Sequence, residues 1–174
     1  MQQTNWHVIT GAPCAGKTAV IHELERLGYP VVHEVARAYI DRRLQNGETI
    51  AQIKADIFSF ESHILYKKIE IEQSLSKDET IFLDRAVPDS IGYYILEGLN
   101  PADPIQKSRL WRYKKIFFLE RIPFEPDPVR SEDDEIASRL DGLLKESYWM
   151  LGYEIIVVPF ETVDARVNFI LNHL

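Results

Sequence analysis

Trp6-His7-Val8-Ile9-Thr10-Gly11-Ala12-Pro13-Cys14-Ala15-Gly16-Lys17-Thr18 is the stretch that decides the fold. Its first five residues form a short apolar run of strand type, and the pattern turns helical from Lys17. Gly11 to Thr18 match G-x-x-x-x-G-K-[ST] in the setting that gives the motif meaning, after a strand and at the opening of a helix. Glycines let the backbone wrap closely round phosphate oxygens with its N–H groups turned inward, and the helix N-terminus adds the positive end of its dipole. In that setting Lys17 reaches the β- and γ-phosphates and the Thr18 hydroxyl ligates Mg²⁺. Gly11, Ala12, Pro13, Cys14, Ala15, Gly16, Lys17, Thr18 and Ala19 are therefore expected to bind a nucleoside triphosphate. The Cys14 side chain is expected to pack in the loop, with a redox role as the lesser reading.

Outward from this loop, short apolar runs alternate with longer helical patterns, the mark of βα units around a parallel sheet. A helix is expected over about 17–27, stopped by Gly28, then a strand over 31–34 and a helix over 35–46. Ile50, Ile53, Ile57, Phe60, Ile64, Ile71 and Leu75 recur at helical spacing and predict one long helix over 50–76. Residues 80–84 read as a third strand, buried on both faces by composition, with Pro88 in the first turn of the next helix. A fourth strand over 116–120 and a fifth over 154–158 flank a helix that starts near Ser131, where Asp134 has capping-box spacing. A last helix covers about 163–174.

The chain of 174 residues fits one domain over 1–174. Its 20 basic against 27 acidic side chains give a net charge of −7, which argues against nucleic acid as a partner. Cys14 is the only cysteine, so no intramolecular disulfide is possible. The opening Met1-Gln2-Gln3-Thr4-Asn5 lacks the basic and apolar regions of a signal peptide, and a cytoplasmic location is expected. No run approaches the roughly 18 apolar residues that span a bilayer, and the histidines show no metal-ligand spacing.

Asp84 ends the third strand, where open α/β sheets bind ligands, and is the expected second Mg²⁺ anchor beside Thr18. The alternative is an Asp that only caps the next helix. A GTPase would carry D-x-x-G here and N-K-x-D later; Asp84-Arg85-Ala86-Val87 fails the first and no N-K-x-D occurs. Motor-type ATPases often place a Glu after the strand aspartate, where Arg85 stands. The Asp-Arg pair looks instead like nucleoside and nucleotide kinases. Glu34, at the end of the second strand, is then the candidate general base or acceptor-orienting carboxylate, against the alternative of a solvated helix-start Glu. The Pro-rich segment from Arg121 to Arg130 has the position and charge of a lid, with Arg121 and Arg130 as candidate phosphate clamps and Arg139 as a third.

Together these stretches resemble the NadR-like AAA-domain family, small P-loop proteins related to the ribosylnicotinamide kinase part of a bacterial NAD regulator. The resemblance is carried by residues 9–18, by Val32-His33-Glu34-Val35-Ala36-Arg37, by Asp84-Arg85-Ala86-Val87-Pro88-Asp89-Ser90, by Arg130-Ser131-Glu132-Asp133, and by 148–159 with Arg166 beyond. It implies an α/β three-layer P-loop NTPase fold of nucleotide-kinase type, with a five-stranded parallel sheet in the order 2-3-1-4-5. Helices cover both faces, and a lid over about 121–134 comes after strand four. It also implies ATP and Mg²⁺ as cofactors and places Pro159 and the residues after it near the adenine. Members include kinases and proteins known only as ATPases, and an animal relative is similar to phosphoinositide-binding proteins.

Two functions fit. The first is a Mg²⁺-dependent kinase moving the γ-phosphate of ATP to a small hydroxylated, nucleoside-like acceptor, with Lys17, Glu34, Asp84, Arg85 and Arg130 as its machinery. Tyr39, Tyr66, Tyr93 and Tyr94 would either wall the acceptor pocket or serve as core. The second is an ATPase or nucleotide-dependent switch that binds a protein or phosphoinositide, a reading that the acidic net charge weakens for membranes.

Overall fold

The computed structural model describes residues 1–121 and 131–174, with the backbone alone over 131–134. Its strands are β1 (Gln2–Gln3), β2 (Trp6–Thr10), β3 (Val31–Val32), β4 (Ile81–Asp84), β5 (Trp111–Arg112), β6 (Lys115–Leu119) and β7 (Ile155–Val158). Its helices are α1 (Lys17–Arg26), α2 (Val35–Gln45), α3 (Ile50–Ile53), α4 (Ile57–Ser74), α5 (Asp89–Leu96), α6 (Ala102–Lys107), α7 (Ser131–Trp149) and α8 (Val163–Asn172). Five strands pair in parallel in the order β3-β4-β2-β6-β7. The five strands expected from sequence therefore lie in the expected 2-3-1-4-5 order.

The central strands are buried on both faces because helices cover both. Trp6 and Val8 point to one side with Ile81, Leu83, Ile91 and Tyr148. Ile9 points to the other with Val20, Leu24, Phe82, Phe117 and Val167. Helices α5 and α7 thus cover one face, and α1 and α8 the other.

The long helix expected over 50–76 is two helices. Thr49 builds a reciprocal capping box with Gln52 and starts α3, and Asp56 accepts the Ser59 N–H at 3.0 Å and starts α4 afresh. Two competing caps seven residues apart break a continuous apolar period. Helix α6 and a small parallel pair of β1 with β5 were not legible either, being too short for periodicity to register.

A buried carboxylate ties the layers together. Asp89, fully buried at the start of α5, accepts hydrogen bonds from Thr10 Oγ1 at 2.5 Å, the Ala86 N–H at 2.9 Å, Tyr148 Oη at 2.5 Å and Arg85 Nη1 at 3.3 Å. Burial alone would raise its carboxyl; Arg85, Lys68 and the Ala86 and Thr10 hydrogen bonds hold it below the ordinary aspartate value. Tyr148→Phe removes one donor from this carboxylate with little change in shape. It is expected to lower unfolding free energy by about 1–3 kcal/mol, read from the urea midpoint.

Candidate phosphate and acceptor site

The loop between β2 and α1 takes its shape from backbone conformations that few residues adopt. Gly11 has φ +135°, and a Cβ there would meet the Leu119 carbonyl oxygen at 2.7 Å, so only glycine lets the loop pass the end of β6. Gly16 is the N-cap of α1 in the left-handed conformation. Cys14 is also left-handed at φ 63° and exposed, so its thiol does not pack within the loop as the sequence suggested.

Three side chains fasten this loop, one from the adjacent α1 and two from distant helices. Lys17 Nζ donates to the Ala12 carbonyl at 2.8 Å. The Ala12 N–H donates to Asp141 Oδ1 of α7 at 2.8 Å. Arg166 of α8 donates to the Ala15, Glu120 and Pro159 carbonyls at 2.6, 2.6 and 3.0 Å. Pro159 thus meets the loop through the Arg166 guanidinium. Neither Asp141 nor the role of Arg166 was legible from sequence, because nothing in local spacing pairs residues about 130 to 150 positions apart.

Facing the loop, the carboxyl end of β4 presents Asp84 and Arg85. Asp84 is buried, and among the described residues its Oδ1 has no hydrogen-bond partner. Burial and then the Glu34 charge raise its carboxyl to about 6. The Thr18 hydroxyl lies exposed in the first turn of α1. The unsatisfied carboxylate oxygen of Asp84 is of the hard donor type that suits a divalent cation such as Mg²⁺. Desolvation, and then Arg85, lower the Lys17 ammonium to about 8.

Arg85 keeps its N–H paired with the Ile9 carbonyl at 3.1 Å and then turns left-handed at φ 65°. This throws its guanidinium sideways under cover, 3% exposed, above the Tyr93 ring at 5.2 Å. There it donates to Asp89 and, through Nε, to Glu34 Oε1 at 3.3 Å. Glu34 is the N-cap of α2 yet makes no capping hydrogen bond; its side chain turns to Arg85, against the reading of a solvated helix-start Glu. Lys17, Glu34, Asp84, Arg85 and Asp89 all lie within electrostatic reach of one another.

Other candidates scatter. Arg121 lies at the end of β6, with Nη1 3.4 Å from Ser138 Oγ. Arg130 and the rest of the 122–130 segment lie outside the described residues, as do the Ser131 and Asp134 side chains. Arg37 and Arg139 are exposed. Of the four tyrosines only Tyr93 reaches the site. Tyr39 lies against the His63 ring at a tilt, Tyr94 is core beside Ser62, and Tyr66 borders a hollow on the outer face of α4 with Phe58, His63 and Glu70.

The raised Asp84 carboxyl makes a pH prediction for metal-free protein. The folded state binds more protons here than the unfolded state between about pH 4 and 6, so Asp84 withdraws stability as pH rises through that window. Asp84→Asn is expected to be more stable than the parent by about 3 kcal/mol at pH 8. Urea titrations should show that advantage shrinking to nothing near pH 4.

A family profile described as an AAA domain matches residues 6–166. Deoxyadenosine kinase from M. mycoides, solved with dCMP and dCDP, is similar in structure with TM-score 0.64 at 17% identity, over 97% of each chain. The NadR protein in complex with NR gives 0.63 at 18% identity over 89% of this chain, which spans only 43% of that one. Thymidylate kinase from Ehrlichia chaffeensis gives 0.65 at 14% identity over the whole of both chains. No curated protein sequence matches. At these identities the structures establish a shared fold. The profile covers the P-loop, Glu34, Asp84-Arg85 and Arg166 together, and the chain belongs to the AAA-domain family.

Proposed function

We propose that the protein is a kinase that moves the γ-phosphate of ATP to the hydroxyl of a small, nucleoside-like acceptor. The observation that carries this reading is the Arg85–Glu34 pair. It keeps a carboxylate at the start of α2 turned toward the carboxyl end of β4, where an alcohol acceptor would meet its base. The kinases and the NadR protein that share the fold support the same reading.

In this proposal the P-loop N–H groups and Lys17 receive the phosphates, and the charge they bring restores Lys17 to its ordinary protonated range. Thr18 and Asp84 would hold Mg²⁺, which supplies charge neutralisation between phosphate oxygens. Glu34 accepts the acceptor's hydroxyl proton as the acceptor oxygen forms its bond to the γ-phosphorus and the β–γ bridging oxygen leaves with ADP. Arg85 orients Glu34 and, being already committed to Asp89, acts as a positioning residue more than as a phosphate clamp. Arg121 and Arg130 are the proposed clamps on the transferring group, within a lid over about 121–134 in a single 1–174 domain. Exposure of Cys14 suits the reducing cytoplasm, and the net charge of −7 suits a small-molecule partner over nucleic acid.

Lys17→Ala is expected to abolish the rise in melting temperature given by Mg²⁺-ATP; a retained rise would overturn the phosphate assignment. Screening nucleosides and other hydroxylated small molecules for ATP-dependent phosphorylation tests the reaction directly. Against the acceptor so found, Glu34→Gln is expected to lower kcat by about 10²-fold or more with ATP binding intact. ATP hydrolysis that no small acceptor accelerates, but a macromolecular partner does, would replace the kinase reading with a switch.

A further inference from the structure

Helix α4 carries three charges on its buried side, Glu61, Lys68 and Glu72. Two of them are satisfied. Lys68 Nζ donates to Ser90 Oγ at 3.1 Å. Glu72 accepts from the Val87 N–H at 3.1 Å and from Tyr113 Oη at 2.7 Å. Glu61 is the exception: it is 4% exposed, and among the described residues no hydrogen bond or ion pair reaches its carboxylate. Its oxygens, unlike Asp84 Oδ1, are not sealed from solvent. Burial raises its carboxyl, with Lys68 opposing and Glu97 adding to the shift.

A buried carboxylate without donors is costly, and native structures seldom keep one unless something outside the chain satisfies it. Its place on the structure says what that something is. The contacts of α4 with α5 run in opposite order along the two helices, Glu72 with Val87, Lys68 with Ser90 and Ser62 with Tyr94. The helices are therefore antiparallel, and Glu61 comes level with Tyr93 and Tyr94, both of which feel its charge. Tyr93 in turn lies under the Arg85 guanidinium, and Arg85 holds Glu34. One line of groups thus runs from Glu34, where the acceptor hydroxyl is read, across Arg85 and Tyr93 to the unpartnered carboxylate.

We propose that Glu61 is the specificity-determining residue of the acceptor site and takes hydrogen bonds from an exocyclic amino group on a nucleoside base. The proposal rests on the kinase reading for the orientation of the acceptor, with its hydroxyl at Glu34 and its base at Glu61. An ionised carboxylate only accepts hydrogen bonds, so an amino-bearing base satisfies it. A base that turns only carbonyl oxygens to it leaves two acceptors facing each other, which discriminates more sharply than a difference in shape.

The test uses the whole chain and five ribonucleosides: adenosine, cytidine and guanosine, with inosine and uridine as their amino-free counterparts. Calorimetric titration without ATP measures binding, and ATP-dependent phosphorylation is measured on the same panel. Wild-type protein is expected to bind at least one amino-bearing nucleoside about ten-fold or more tightly than its counterpart. In Glu61→Gln, whose amide also donates, and in Glu61→Leu, that preference is expected to fall to within about two-fold. Both variants should melt no lower than the parent, since they remove an unsatisfied buried charge, and both should keep the Mg²⁺-ATP shift. No binding of any amino-bearing nucleoside, no amino preference in the wild type, or a preference that survives both substitutions would overturn the assignment. Amino-selective binding without phosphate transfer would leave Glu61 standing and remove the kinase reading. Transfer with unaltered selectivity in both variants would do the reverse.

Discussion

Asp89 is the group on which the arrangement of the cleft depends. A carboxylate with no solvent contact is tolerated only when its lone pairs are filled, and here the donors come from four separate places: the last residue of β2, the turn after β4, the Arg85 side chain and helix α7. Satisfying it therefore fixes the strand that leads into the phosphate loop relative to the strand end that carries Asp84. It also draws α7 onto the same face. Arg85 is held in its unusual left-handed conformation by being one of these donors, and Glu34 is held by Arg85. Each step outward from Asp89 positions a group closer to the chemistry.

Left-handed backbone at a residue with a side chain costs about 1 kcal/mol or more. Glycine would avoid the strain at Arg85 but would forfeit the guanidinium, so the strain there has a use that the structure makes visible. At Cys14 the same conformation belongs to the tight path of the loop round the phosphate position.

Much of this was legible in the sequence. The alternation of apolar runs with helical periods located every strand of the main sheet to within two residues, and the Gly11 to Thr18 spacing marked the cleft. Glu34 and Arg85 were legible as candidates from their places at strand ends, although their pairing was not. What escaped had a common physical cause. Asp141 and Arg166 act across about 130 to 150 residues of chain, and Glu61, Lys68 and Glu72 sit within an apolar stripe where a periodicity reading simply skips the charged positions. The division of the 50–76 helix escaped for a different reason, since a cap at Asp56 outweighs a period that continues through it.

Arg166 has a consequence for the order of events during synthesis. The loop of residues 11–18 is made before the rest of the main sheet, but the Ala15 carbonyl within it is satisfied by a guanidinium made 151 residues later. Sheet pairing shows the same delay, because β2 gains its neighbour β6 only after more than a hundred residues have been added beyond it. Contacts of such long range close late. Until α8 has docked, the Gly11 to Thr18 loop lacks the guanidinium that fastens its Ala15 carbonyl.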